Sequence, residues 1–191
     1  MTLAVTGGVL RGRPLKPPPG RAVRPTSSRV REALFSILGQ NLDGQRVLDL
    51  FAGTGSIGIE AASRGATSVV FLESNAGHAR VLATNAGLLD GIAQVEILRR
   101  DAVSALPSLA SRHEPFDLAF LDPPYGKGLA AQCLAALAPL TDQLLCRGGV
   151  VVVETDGHEE LPEQVGSWQS SDNRSYGQTR LGFYRHREAM I

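Results

Sequence analysis

Short apolar runs alternate along this chain with longer segments whose apolar positions recur every three or four residues. The strand-like runs are "RVLDLF" (46–51), "SVVFLE" (68–73), "VEILRRD" (95–101), "FDLAFLD" (116–122) and "GVVVVE" (149–154). Helical spacing fills the gaps at 56–64, 75–89, 102–111 and 128–146. Near-continuous apolar strands separated by helices predict a parallel sheet covered on both faces. Ahead of them, "TSSRVREALFSILG" offers Thr26, Ser27 and Ser28 as caps, then Val30, Leu34, Ile37 and Leu38, with Gly39 as a stop. The tail changes period. "WQSSDNRSYG" and "TRLGFYRHR" read as two strands with no helix between them, so an antiparallel edge is expected. Residues 1–26 are rich in Gly, Pro and Arg. "TLAV" and "VLRGRPL" can pair as a hairpin turning at Gly7-Gly8, and "KPPPG" is an extended connector.

A length of 191 residues suits one main domain, 26–191, with an N-terminal extension at 1–25. No apolar run approaches the ~20 residues of a membrane span, and no signal peptide is evident. Cys133 and Cys146 match no metal spacing, and His78, His113, His158 and His186 are scattered, so no metal site is expected. A reducing, cytoplasmic compartment follows. The net charge of zero hides an asymmetry: residues 1–46 carry eight basic side chains against two acids, and the remainder is acidic by the same margin. A basic end on a neutral protein suggests a polyanion partner, the plainer reading being a solvated tail.

"VLDLFAGTGSIGIEAASRG" sharpens this. Asp49 stands near the end of the first strand, and Gly53, Gly55 and Gly58 open a helix. Glycines at this spacing allow a sharp turn, close approach of a ligand and tight helix–strand packing. Glu73, 18 residues after Gly55, ends the second strand where ribose hydroxyls would lie. Asp101 ends the third, placed for an adenine amino group or as a helix N-cap. Acids at three successive strand ends favour a cationic adenosyl ligand, S-adenosylmethionine, over a pyrophosphate, which would seek the helix N-terminus.

The fourth strand ends in Asp122-Pro123-Pro124-Tyr125. An exocyclic amine on a nucleobase is a poor nucleophile because its lone pair is delocalised. A carboxylate and a backbone carbonyl accepting both its N–H hydrogens favour pyramidal geometry and stabilise developing positive charge. Asp122 and the Pro123 carbonyl can act so. The prolines fix φ, and Tyr125 offers a stacking face. The plainer reading is a proline-terminated strand with a solvated acid.

These features resemble class I S-adenosylmethionine-dependent N-methyltransferases with a (D/N)-P-P-(Y/F/W) motif. The segment "RGRPLKPPPGRAVRPTSSRVREALFSIL" (11–38), the glycine loop and "YGQTRLGFYR" are similar, more narrowly, to the RsmD-like family, which methylates guanine N2 in 16S ribosomal RNA. That resemblance implies a Rossmann-like α/β fold with a mostly parallel seven-stranded sheet, an antiparallel C-terminal edge and a small N-terminal β-hairpin. It implies cofactor contacts from Asp49, Ala52, Gly53, Thr54, Gly55, Glu73, Ser74, Asp101, Ala102 and Asp122, and catalytic roles for Asp122, Pro123, Pro124 and Tyr125. RNA contacts would come from Arg11, Arg13, Arg24, Pro25, Thr26, Arg29 and Arg31. The implied substrate is guanine 966, within the 30S subunit or its precursor, met by a monomer. Two alternatives stand beside it: an N-methyltransferase acting on DNA adenine or a protein glutamine, and a non-catalytic RNA-binding assembly factor.

Overall fold

The computed structural model describes residues 3–18, 26–126 and 128–187. It divides after Arg100 into two compact units. In the first, β1 (Arg46–Asp49), β2 (Ser68–Leu72) and β3 (Gln94–Leu98) run parallel in the order β3-β2-β1. Val47 pairs with Val69, and Val69 with Val95. β3 stops short of the expected Asp101 because the Arg100 N–H turns back to the Leu98 carbonyl, 3.0 Å away. Helices α1 (Ser28–Leu38), α2 (Ser56–Ser63) and α3 (Ala76–Ala86) complete this unit. Ser27 caps α1 by accepting from the Val30 N–H at 3.3 Å.

All eight residues of α2 are buried. It lies so close to β2 that a Cβ at Gly58 would fall 2.3 Å from the Phe71 ring. The one charge in α2, Glu60, is therefore sealed inside and must be compensated there. Its carboxylate accepts from the Thr6 N–H at 2.8 Å, the Thr6 hydroxyl at 2.7 Å and Arg64 Nη2 at 2.8 Å, with Arg31 Nε 3.8 Å away.

Thr6 belongs to the N-terminal segment, which covers α2. Residues 3–15 form an antiparallel loop bridged at Ala4 and Pro14, with Val5, Leu10 and Leu15 buried. The turn runs from Gly7 to Gly12, wider than the two-residue turn expected at Gly7-Gly8. The loop opens because it grips the end of α2: the Val9 N–H donates to the Ser63 carbonyl at 2.7 Å, and the Leu10 N–H to Ser63 Oγ at 2.9 Å. Gly8, at φ 73°, passes so near that a Cβ would lie 1.8 Å from the Ser63 carbonyl oxygen.

In the second unit, β4 (Phe116–Leu121) pairs in parallel with β5 (Leu145–Asp156). The antiparallel edge follows in the order β5-β8-β7-β6, from β6 (Gln164–Val165), β7 (Trp168–Tyr176) and β8 (Thr179–His186). The two-residue β6 brings the strands among the described residues to eight, where seven were expected. Helix α4 (Ala102–Arg112) matches expectation. The helix expected over 128–146 is instead α5 (Leu129–Leu137), a 3-10 turn at Ala138–Leu140 and α6 (Thr141–Leu144). Pro139 accounts for the break, since its ring removes an N–H donor and crowds the preceding turn. Among the described residues no helix is long and apolar enough to cross a membrane.

Replacing Glu60 by Gln should destabilise the protein by about 3–5 kcal/mol, because it removes the buried charge that Arg64 and Arg31 compensate. Urea unfolding of the variant against wild type measures this. An unchanged midpoint would mean the network is energetically idle.

Candidate active site

The chemistry-bearing residues fall into three groups. The first surrounds the glycine loop. Gly53 and Gly55 have φ of 55° and 81°, a region that disfavours side chains. Gly55 is also fixed by packing, since a Cβ there would stand 2.5 Å from Leu82. At Gly53 a Cβ would meet nothing within 4 Å, so the backbone presents an open edge to a ligand. Beneath it, Glu73 Oε2 accepts from the Gly53 N–H at 2.9 Å, and Oε1 accepts from the Asn75 N–H at 2.7 Å. These bonds orient the carboxylate and use about half of its four acceptor positions, leaving capacity for a diol. Asn75 caps α3 through the Gly77 and His78 N–H groups. Ala52 and Thr54 are buried within the loop, and Ser74 is exposed.

Asp49 is 1% exposed, and Oδ2 accepts from the Gly58 N–H at 3.2 Å. Burial pushes its carboxyl up from 3.8 to about 7, opposed by the Gly58 and Phe51 N–H groups and reinforced by the Glu73 charge. Asp49 and Glu73 thus place two carboxyl groups beside an open loop, an acceptor set suited to a cation bearing hydroxyls.

The second group belongs to the other unit. Asp101 is the N-cap of α4, accepting from the Ser104 N–H at 2.9 Å. Capping commits one oxygen; Ala102 behind it is buried. Asp122, Pro123, Pro124 and Tyr125 follow β4 directly, and the Asp122 side chain is half-buried. Tyr125 is 43% exposed, so its ring is available for stacking. Its hydroxyl donates to Glu154 Oε1 at 3.0 Å. Glu154 lies on β5 and is 3% exposed. Desolvation, followed by the Glu154 and Asp122 charges, raises the phenol's pKa well above its usual value. Glu154 was missed in the sequence, although an acid closing a run of four valines is a signal of a buried carboxylate.

The third group is basic. Arg11, Arg13 and Arg29 are exposed as a polyanion site requires. Arg24 and Pro25 lie outside the described residues. Arg31 departs from expectation. It is 1% exposed, with Nη1 donating to the Thr26 carbonyl at 2.8 Å and Nη2 to the Ala4 carbonyl at 2.6 Å. Its helical position turns it inward toward Glu60, so it ties the chain together and does not face a partner. Thr26 is buried with it.

The family model described as conserved hypothetical protein 95 matches residues 3–185. The Bacillus subtilis (strain 168) protein YlbH is 38% identical over 187 residues, covering 97% of this chain and 100% of the relative. Ribosomal RNA small subunit methyltransferase D of Escherichia coli (strain K12) is 31% identical over 190 residues, covering 98% and 91%. Among solved structures, the Escherichia coli protein yhhF superposes with a TM-score of 0.82 at 28% identity, covering 97% of this chain and 98% of that one. A Thermus thermophilus 16S rRNA N2 G1207 methyltransferase, solved with AdoMet and guanosine, gives 0.66 at 25% identity, covering 88% and 44%. The fold is thus the Rossmann-like α/β methyltransferase fold with a mixed sheet.

The raised carboxyl of Asp49 carries a stability signature. The folded state holds a proton that the unfolded chain releases near 3.8, so stability falls as pH rises from about 4 to about 7. The full effect is on the order of 4 kcal/mol. Asp49→Asn should remove that slope, making the ligand-free variant the more stable protein at pH 8 and leaving the two alike near pH 4. Urea midpoints across that range test it.

Proposed function

Because this chain belongs to the conserved hypothetical protein 95 family, we propose that it is an S-adenosylmethionine-dependent methyltransferase acting on the exocyclic N2 of a guanine in 16S ribosomal RNA. The observation that carries the reading is the stiff Asp122–Tyr125 end of β4, with its aromatic ring exposed and its phenol anchored on a buried carboxylate. The near full-length likeness to ribosomal RNA small subunit methyltransferase D supports both reaction and substrate. Guanine 966 in the 30S particle is the target that the resemblance of the sequence motifs implies, with the protein acting as a monomer in the cytoplasm.

The residues around the glycine loop fit the cofactor. Glu73 holds the ribose hydroxyls, Asp49 offsets positive charge, and Ala52 to Gly55 line the path with backbone. Ser74 serves the adenine end, and the sequence resemblance assigns Asp101 and Ala102 to the same ligand. Bound there, S-adenosylmethionine supplies an electrophilic methyl group. The remaining work belongs to the chain itself. Asp122 and the Pro123 carbonyl accept the two N–H hydrogens of the amine, aim its lone pair and stabilise the charge that develops on nitrogen. Tyr125 stacks on the base. Positioning of the two substrates supplies most of the acceleration.

RNA enters along the basic N-terminal face through Arg11, Arg13 and Arg29. Because residues 3–16 also cover α2, deleting them would unseat the Glu60 network, so charge reversal is the cleaner probe. Reversing Arg11, Arg13 and Arg29 to Glu should flatten the salt dependence of RNA affinity by about 0.7–0.9 in slope per lost contact. A filter-binding titration over a salt series measures this, and an unchanged slope would place the RNA elsewhere.

The reaction itself is tested by incubating the protein and labelled S-adenosylmethionine with 30S subunits, naked 16S RNA, tRNA or DNA, then digesting to nucleosides. Label in N2-methylguanosine from 16S RNA is the expected result; label in adenine or in protein would overturn the assignment. Asp122→Ala should keep affinity for both ligands and lose about 10²–10³ in single-turnover rate. Asp122→Asn should fall between. Tyr125→Phe should cost more than a merely stacking ring would, since it removes the hydrogen bond that anchors the ring on Glu154.

A further inference from the structure

Asn85 sits in the last turn of α3 and is 3% exposed. Its Oδ1 accepts from the Lys16 N–H at 2.8 Å, and its Nδ2 donates to the Lys16 carbonyl at 3.1 Å and the Thr54 carbonyl at 2.9 Å. One amide therefore binds both backbone groups of Lys16, as a neighbouring strand would, and reaches into the glycine loop with its remaining hydrogen. The orientation is set by the partners: with nitrogen and oxygen exchanged, two donors would face each other at Lys16 and an oxygen would face the Thr54 carbonyl.

The two things joined are the two segments to which different ligands are assigned above. Lys16 is the last residue before the prolines, in the segment that carries Arg11 and Arg13. Thr54 lies between Gly53, whose N–H holds Glu73, and the tightly packed Gly55. The path from the basic segment to the ribose-binding carboxylate is thus Lys16 backbone, Asn85 amide, Thr54–Gly53 backbone and Glu73. Each link is a hydrogen bond or a peptide unit. One route by which strain on the basic segment reaches the loop thus runs through groups that have one good arrangement, and Asn85 is the side chain in it.

We propose that Asn85 is a positioning residue that couples the basic N-terminal segment to the cofactor loop, so that RNA and cofactor bind with mutual reinforcement. The inference rests on the RNA methyltransferase reading above. Linkage makes the effect reciprocal: whatever factor RNA adds to cofactor affinity, the cofactor adds to RNA affinity. A purely structural asparagine would lower stability and leave that factor untouched.

The experiment is equilibrium dialysis of labelled S-adenosylhomocysteine against the full-length protein, alone and with saturating 30S subunits. Wild type should bind at least about fivefold tighter with 30S subunits present. Asn85→Ala should bring that ratio close to one. Asn85→Asp keeps the acceptor for the Lys16 N–H, loses both donors and sets a carboxylate against two carbonyls; it should abolish the ratio as well, and serves if the alanine variant folds poorly. Hydrogen exchange of the 52–55 amides gives a second reading: 30S subunits should slow it in wild type and not in either variant. A wild-type ratio of one, or a ratio equal in wild type and variants, overturns the coupling while leaving the functional reading intact. Failure of wild type to bind 30S subunits at all would sink the functional reading, and the coupling with it.

Discussion

A buried carboxylate in the middle of an otherwise apolar helix sets the terms for the first unit. Glu60 lies in α2, whose every residue is buried, and it cannot remain charged there without partners. Those partners arrive from three places: Arg64 one turn along the same helix, Arg31 from α1 and Thr6 from the N-terminal segment. One charge therefore fixes how α1 and the segment around Thr6 lie on α2. The same helix begins at the glycine loop, so whatever holds α2 also holds the loop's exit. Arg64 is shared further, donating to Gln40 and lying 4.8 Å over the Phe35 ring. A compensated buried ion pair contributes modest net stability, but breaking it is costly, and that asymmetry makes it a device for fixing one arrangement.

The same economy of partners explains why the acids at three strand ends, alike in the sequence, differ in the structure. Asp49 is driven toward neutrality by burial, Glu73 is oriented by two backbone N–H groups, and Asp101 is a helix cap. A cationic ligand would favour ionised Asp49 and so recover energy that the ligand-free protein forgoes, which is why such a site can discriminate charge as well as shape. A carboxylate preset by backbone donors is rigid and suits a diol.

Much of this was legible beforehand because periodicity and glycine spacing report on burial and turns directly. The parallel strands, the glycine loop around Gly53 and Gly55 and the antiparallel tail could all be read. What could not be read depends on which way a residue faces when its neighbours are long-range. Arg31 sits in a basic run and looks like a phosphate contact; only the burial of Glu60, contributed by another helix, turns it inward. Asn85 carries no pattern at all, since its partners are backbone groups at positions 16 and 54. Pro139 was a visible breaker that the long apolar stretch around it outweighed in the reading of 128–146. The N-terminal segment illustrates both outcomes. Its hairpin character followed from composition, whereas the width of its turn follows from the Ser63 groups it must reach.

Tyr125 shows how rigidity is divided between backbone and side chain. Pro123 and Pro124 limit the backbone from one side, because each fixes its own φ and restricts the residue before it. That alone would leave the tyrosine ring free to change rotamer. The hydrogen bond to Glu154 removes this freedom from the other end, and it comes from β5, the strand paired with β4. The shared environment also keeps the bond intact. Desolvation and the charges of Glu154 and Asp122 raise the phenol's pKa, so Tyr125 stays a donor. A flat ring held at both ends needs no ordering when a ligand arrives, and Asp122, three residues upstream on the same stiff turn, shares that constraint.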